Sequence, residues 1–218
     1  MRTTEDSYLH KGMRKKLVDS IREKGITDEQ VLSAMMNIPR HFFLDSAFEK
    51  QAYEDRAFPI GEEQTISQPY TVAYQTQLLN IKAFDKVLEV GTGSAYQASV
   101  LGELKAKVFT IERQKKLFDL NKKFKYLEKY PSIRLFFGDG FDGLPTFGPF
   151  DKIIITAAAP CIPEKLIAQL KPGGCMVLPL NEGEIQRMVR IRKGLDDGLV
   201  EERFDEFSFV PMLEGKKG

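Results

Sequence analysis

Val87-Leu88-Glu89-Val90-Gly91-Thr92-Gly93-Ser94-Ala95 is the stretch that decides the fold. Val87, Leu88 and Val90 are apolar or β-favouring, and no turn former interrupts them, so the run reads as a buried strand. Gly91 and Gly93 carry no Cβ, so the backbone can bend tightly there and come close to a ligand. Residues 96–101 then have helical character. Strand, glycine turn and helix in this order form the unit that holds nucleotide-like ligands at the carboxyl end of a parallel sheet.

The same alternation continues downstream. Strands are expected at 86–90, 107–111, 133–137, 152–156 and 175–179, with helices at 95–104, 113–130 and 163–170 between them. Leu117, Leu120, Phe124 and Leu127 mark one face of the long middle helix. Such βαβ repetition implies an α/β fold, a doubly wound and mostly parallel sheet with helices on both faces. The tail differs: 186–192 alternates like a half-buried strand, Asp197-Gly198 marks a turn, and 199–210 supplies a last, antiparallel strand.

Upstream of the sheet the chain reads as helical. Leu9, Met13, Leu17 and Ile21 recur every four residues within a helix over 7–24, and Gly25 is its C-cap. Thr27 is expected to open a second helix, with Gln30 completing a capping box and Ile26 stapling onto Val31. That helix ends by Pro39, and 45–48 suggests a short turn. Residues 54–69 show no periodicity and read as a long functional loop; a helix follows over 70–79. The chain thus divides into a helical cap and loop at 1–80, packed on a core at 81–218 with C-terminal strands, together one folded unit.

Composition bounds the chemistry. The 218 residues are 42% hydrophobic, enough for a sizeable core, and the formal net charge of +1 argues against a nucleic-acid partner. The lysine run at 115–125 reads as the solvated face of a helix. Cys161 and Cys175 cannot build a disulfide framework or a zinc site alone and read as small buried hydrophobes. With only His10 and His41 present, no metal site is expected. No signal peptide or membrane span is evident, so the expectation is a cytoplasmic enzyme that does not bind membranes.

The residues around the glycine turn choose among ligands. A dinucleotide fingerprint needs a third glycine where Tyr96 stands, which disfavours a nicotinamide cofactor. The pattern acidic-x-Gly-x-Gly-x-Ala instead resembles motif I of the S-adenosylmethionine-dependent (class I) methyltransferases, which have a Rossmann-like fold. Gly91, Thr92 and Gly93 then contact the cofactor, and Glu89 is placed to meet its cationic amino-acid end, directly or through water. Glu112 ends the second strand, where a carboxylate commonly accepts from ribose hydroxyls. Asp139 ends the third, within reach of the adenine amino group, with Gly140 giving backbone access.

A narrower likeness emerges further out. Pro59-Ile60-Gly61 with Gln64-Thr65-Ile66-Ser67-Gln68-Pro69-Tyr70, then Gly138-Asp139-Gly140, Thr156-Ala157-Ala158-Ala159-Pro160, Leu170-Lys171-Pro172-Gly173-Gly174 and Phe209-Val210-Pro211-Met212 resemble the protein-L-isoaspartate O-methyltransferase family in order, from Thr27 to Met212. The resemblance implies methyl transfer from S-adenosylmethionine, leaving S-adenosyl-L-homocysteine and using no metal. The acceptor it implies is the α-carboxylate of L-isoaspartyl residues in damaged proteins and peptides. It further implies that Ser67 positions that carboxylate, that Thr65 and Ile66 line the pocket beside the cofactor, and that Ala158 and Val210 contact substrate. A monomer is expected.

Gln68, before Pro69 at the first helical position, is the natural helix cap, which leaves Ser67 free for this role. Where bacterial members usually carry a glycine, this chain has Ala95. Alanine suits the start of a helix, so cofactor affinity is expected to be reduced or unchanged. Two other readings stay open at this point: a methyltransferase with another acceptor, and a non-catalytic S-adenosylmethionine-binding module.

Overall fold

The structure, a computed structural model, describes residues 5–218. Helix α1 (Tyr8–Glu23) starts at Ser7, whose hydroxyl caps the His10 N–H. Helix α2 (Glu29–Asn37) is capped by Asp28, not Thr27. The Asp28 carboxylate accepts from the N–H groups of Gln30 and Val31, while Gln77 Oε1 takes those of Thr27 and Asp28. An ionised acceptor outcompetes a hydroxyl for the helix start. Two 3-10 turns, Arg40–Phe43 and Ser46–Gln51, complete the cap.

The expected loop at 54–69 contains a hairpin, β1 (Phe58–Gly61) and β2 (Gln64–Ile66). Its turn places Glu62 and Glu63 at φ +51° and +58°, positions where the usual signal is Asn or Gly. Helix α3 (Pro69–Leu79) follows with Gln68 as N-cap. The core then alternates β3 (Lys86–Val90), α4 (Tyr96–Glu103), β4 (Lys107–Glu112), α5 (Lys115–Lys122), β5 (Ile133–Phe137), β6 (Phe150–Ile155), α6 (Glu164–Ala168), β7 (Leu170–Glu182), β8 (Ile185–Lys193) and β9 (Leu199–Phe207). The helix expected over 113–130 breaks after Lys122. Phe124 takes an extended conformation and packs edge-on against Phe43 of the cap, and a 3-10 turn (Lys125–Lys129) resumes. Leu120 is left exposed as a result.

The seven-stranded sheet runs β5-β4-β3-β6-β7-β8-β9. It is parallel through β7 and antiparallel beyond. Successive connections leave β3 in opposite directions, so a crevice opens at the carboxyl ends beside it. Side chains alternate across β3: Leu88 and Val90 join Ile153, Met176 and Leu166 on one face, while Val87 joins Ile154, Val177, Leu79 and Ala98 on the other. Glu89 shares the Val87 face and so looks towards α4. The cap packs on α3 and α4 through one continuous cluster that includes Leu32, Phe43, Val72 and Tyr96. Cys175 is buried on β7, but Cys161 is exposed because it lies in the bend before α6 and not in an element.

Ala95 is not an ordinary first residue of α4. It is the N-cap and sits in the left-handed region at φ +69°, ψ 17°, fully buried. That conformation costs an L-residue about 1–2 kcal/mol. Burial of its methyl returns about 0.8 kcal/mol, and the smaller freedom of alanine in the unfolded chain returns about 0.4–1 kcal/mol. These terms nearly cancel. Ala95→Gly is therefore expected to shift unfolding free energy by less than about 1 kcal/mol in urea denaturation. Ala95→Val, β-branched and without room, should cost about 3 kcal/mol or more. A large gain from glycine would show that the strain outweighs the packing.

Candidate active site

The β3–α4 turn is held from several sides. Gly91 lies at φ +96°, and a Cβ there would stand 2.5 Å from Thr156 Oγ1. That hydroxyl takes the space and donates to the carbonyls of Gly91 (2.8 Å) and Val90 (3.0 Å). Glu112 accepts from the N–H groups of Gly93 and Gln114, both at 2.8 Å. Asn121 donates to the Gly93 carbonyl at 2.8 Å. Gly140 approaches β3 closely, since a Cβ there would meet Val90 Cγ1 at 2.5 Å.

Above this turn lies a cavity. The structure brings to its wall Thr65 and Ile66 from the hairpin, Ser67 just after it, Gly91, Thr92 and Gly93 from the turn, and Glu112, Gly140 and Val210. A second, more open cavity lies alongside, walled by Asp55, Tyr70, Asp205, Phe207 and Phe209 among others. Thr65, Ser67, Thr156 and Val210 line both. Neither the Ser67 hydroxyl nor the Val210 N–H has a hydrogen-bond partner among the described residues.

Three residues singled out in the sequence are not on either wall. Glu89 is fully buried beneath the turn, and neither carboxylate oxygen has a hydrogen-bond partner. Burial pushes its pKa up to about 8. Asp139 spends its oxygens on the N–H groups of Phe141 (2.9 Å) and Gly215 (2.6 Å). Ala158 gives its N–H to the Val210 carbonyl and its own carbonyl to the Met212 N–H, both at 2.8 Å. Asp139 and Ala158 therefore anchor the C-terminal tail across the site; no local pattern announces contacts to segments so distant in sequence.

The donor set fits a ligand with a cationic end and hydroxyls. The orphaned Glu89 carboxylate lacks a positive partner, and an arriving cation would favour its ionised form, directly or through water. Glu112, its own pKa raised by burial against its backbone hydrogen bonds, keeps lone pairs free beside the cavity. One residue of the wall and one behind it escaped the sequence reading. Gln97 lines the cavity, with its amide nitrogen held by Thr76 Oγ1 at 3.0 Å. Arg40, an arginine inside the apolar run 38–44, reaches the Ser67 carbonyl from behind. Its position in an apolar run is the signal that could have marked it.

His10 and His41 do meet, stacked at 3.8 Å in the cap beside Asp6. All four ring nitrogens already have partners: Ser7 and Glu49 for His10, Tyr53 and the Glu5 carbonyl for His41. Arg14 pairs with Asp6, at 3.0 Å from Nη2 to Oδ2. The cluster ties α1 to the 3-10 turn that follows α2.

Comparison with known proteins is consistent along the whole chain. Residues 12–217 match the family model described as protein-L-isoaspartate(D-aspartate) O-methyltransferase. The chain is 52% identical to a protein-L-isoaspartate O-methyltransferase of Cytophaga hutchinsonii over 214 residues, covering 98% of this chain and 96% of that one. It is likewise 52% identical to that of Flavobacterium johnsoniae over 213 residues, covering 97% and 99%. A solved protein-L-isoaspartate O-methyltransferase superimposes with a TM-score of 0.82 at 29% identity, covering 91% of this chain and 65% of that one. A Plasmodium falciparum structure in complex with S-adenosyl-L-homocysteine gives 0.79 at 23% identity, over 92% and 98%, which supports the fold.

The raised pKa of Glu89 has a sign. The folded protein keeps a proton that the unfolded chain releases near pH 4.5, so this residue's contribution to stability falls as pH rises from there to about 8. Glu89→Gln carries no such term. The stability of the variant relative to wild type should therefore grow between pH 5 and 8, by at most about 1.4 kcal/mol per pH unit. Parallel profiles in pH-resolved denaturation would show that Glu89 is ionised throughout.

Proposed function

The chain belongs to the protein-L-isoaspartate(D-aspartate) O-methyltransferase family, and from that premise we infer how its site carries the reaction. It transfers a methyl group from S-adenosylmethionine to the free α-carboxylate of L-isoaspartyl residues in damaged proteins and peptides, which begins their repair. The observation that carries the assignment of residues is the junction of the two cavities at Thr65, Ser67, Thr156 and Val210. A donor in the enclosed cavity and a peptide in the open groove would meet at that wall.

S-adenosylmethionine supplies an electrophilic sulfonium methyl when bound, and S-adenosyl-L-homocysteine is the product. Gly91, Thr92, Gly93 and Gly140 give it close backbone approach, Glu112 receives ribose hydroxyls, and Thr65 and Ile66 flank it. Glu89 answers its ammonium group. The Asp139 carboxylate holds the tail in this structure, so its contact with the adenine amino group stands as a separate proposal, one that requires a spare lone pair. No metal takes part in this reading.

A carboxyl group near pKa ~4 is ionised at neutral pH, so the acceptor needs no general base. An anion and a sulfonium neutralise each other in the transition state, which bulk water would disfavour relative to the separated charges. What the chain must do is align carboxylate and methyl in line and exclude water. The Ser67 hydroxyl, without a protein partner, donates to the carboxylate and holds it. The Val210 N–H is free for a substrate main-chain carbonyl, and Ala158 supports it by holding the Val210 carbonyl. Recognition through backbone groups tolerates varied flanking sequences.

Among the described residues no helix is long and apolar enough to cross a membrane. We place the protein in the cytoplasm as a monomer acting on isoaspartyl proteins and peptides, without nucleic-acid or membrane partners.

With labelled S-adenosylmethionine and matched peptides, the isoaspartyl form should be methylated and the aspartyl form should not. Equal labelling of both would remove the substrate assignment. Ser67→Ala should lower kcat by about tenfold or more while S-adenosyl-L-homocysteine affinity, measured by calorimetry, stays within about threefold. An unchanged kcat would take Ser67 out of the mechanism.

A further inference from the structure

Arg40 sits in the first 3-10 turn of the cap, within Ile38-Pro39-Arg40-His41-Phe42-Phe43-Leu44, and is fully buried. Among the described residues no carboxylate lies within ion-pairing distance of it. Its guanidinium is satisfied by main-chain oxygens instead. Nε donates to the Ala52 carbonyl at 3.0 Å, and Nη2 donates to those of Ser67 at 2.9 Å and Arg56 at 3.3 Å. Nη1 has no partner. The plane lies over the Tyr96 ring, 5.0 Å from its centroid. Burial lowers its pKa to about 10, so it stays cationic at neutral pH.

A buried guanidinium without a counter-ion is costly, and a packed apolar side chain would serve stability as well or better. Its retention calls for a task that needs a rigid fork of donors. The contacts identify the task. Ser67 and Gln68 are the two residues between β2 and α3, and among the described residues the Ser67 carbonyl is held by Arg40 alone. The same guanidinium fixes Ala52 and Arg56, the segment that leads into the hairpin, and rests on Tyr96, the first residue after the glycine turn. One side chain thus ties the acceptor loop to the cap and to the donor cavity.

We propose that Arg40 is a positioning residue for the transfer: by holding the Ser67 carbonyl it sets the direction in which the Ser67 hydroxyl meets the acceptor carboxylate. This rests on the assignment of Ser67 made above. A hydroxyl misdirected by about an ångström is enough to cost two orders of magnitude in rate. Lysine at this position keeps the charge but offers no fork to span three carbonyls.

The test is a double-mutant cycle on the full chain. Arg40→Lys, Ser67→Ala and the double variant are assayed with an isoaspartyl peptide for kcat and KM, and with S-adenosyl-L-homocysteine by calorimetry. Arg40→Lys should lower kcat by about tenfold or more with S-adenosyl-L-homocysteine affinity within about threefold. The double variant should fall within about twofold of the slower single one, because both changes remove the same alignment. If the two factors multiply, or if cofactor-product affinity and melting temperature fall together with kcat, Arg40 is merely structural and the proposal is overturned. An unchanged kcat in Arg40→Lys overturns it too. An unchanged kcat in Ser67→Ala alone marks failure of the Ser67 assignment, a separate result. Should Arg40→Lys not fold, Arg40→Gln removes the buried charge and the tether together, and the same cycle is run with it.

Discussion

The contact between Thr156 and Gly91 organises the carboxyl end of the sheet. The hydroxyl stands where a side chain at position 91 would have to be, and it binds the carbonyls on either side of the bend. Only a residue without a Cβ leaves that space, and a small hydroxyl fills it with its one proton shared between two backbone acceptors, of which the Val90 carbonyl also takes the Thr156 N–H. Since Thr156 directly follows β6 and Gly91 directly follows β3, the contact locks the relative height of two central strands. Everything above inherits that height: the Gly93 N–H that Glu112 receives, the close pass of Gly140 over Val90, and the wall that Thr156 shares with Ser67 and Val210.

Two buried ionisable groups flank this frame, one below and one behind. Glu89 lies under the turn and Arg40 behind Ser67, and among the described residues neither forms an ion pair. In a fold whose net stability is about 5–15 kcal/mol, either could be ruinous. They are accommodated in opposite ways. A carboxyl group can keep its proton, and burial moves Glu89 in that direction. A guanidinium cannot shed its proton at neutral pH, so Arg40 is surrounded by carbonyl oxygens and an aromatic face. Both solutions forgo stability that an apolar residue would provide, and both sit within reach of where a charged donor and a charged acceptor must be received.

The parallel core was legible because strands buried on both faces read as continuous apolar runs, and 153–155 is one such run with β-branched side chains throughout. The glycine turn was legible because its residue types have few other uses. The hairpin at 58–66 was not, because Glu62 and Glu63 take left-handed conformations that their side chains do not advertise. The left-handed Ala95 stayed hidden for the same reason. Thr27 was the expected cap of α2, but the carboxylate of Asp28 takes the N–H groups of Gln30 and Val31, while the Thr27 N–H is held by Gln77 from α3. Asp139 was correctly placed at the end of a strand, but the use of its oxygens depends on Gly215, 76 positions away. Local pattern finds which residues are available; distant segments decide which are already engaged.

That distinction also separates the two halves of the site. The cavity proposed for the donor rests on the central strands and their turns, the part of the chain most strongly specified by local sequence. The groove proposed for the acceptor is assembled mostly from the two ends, Asp55 and Ser67 from the first 80 residues and Asp205, Phe207 and Val210 from the tail, with Thr156 from the core. A carboxylate acceptor is already a nucleophile at neutral pH, so no residue of the groove has to activate it. The groove's work is selection and alignment, and those are tasks for peripheral segments held by long-range contacts such as Arg40 with Ser67 and Ala158 with Val210. The sheet fixes what can be donated; the ends of the chain, tied back onto it, determine what is allowed to receive it.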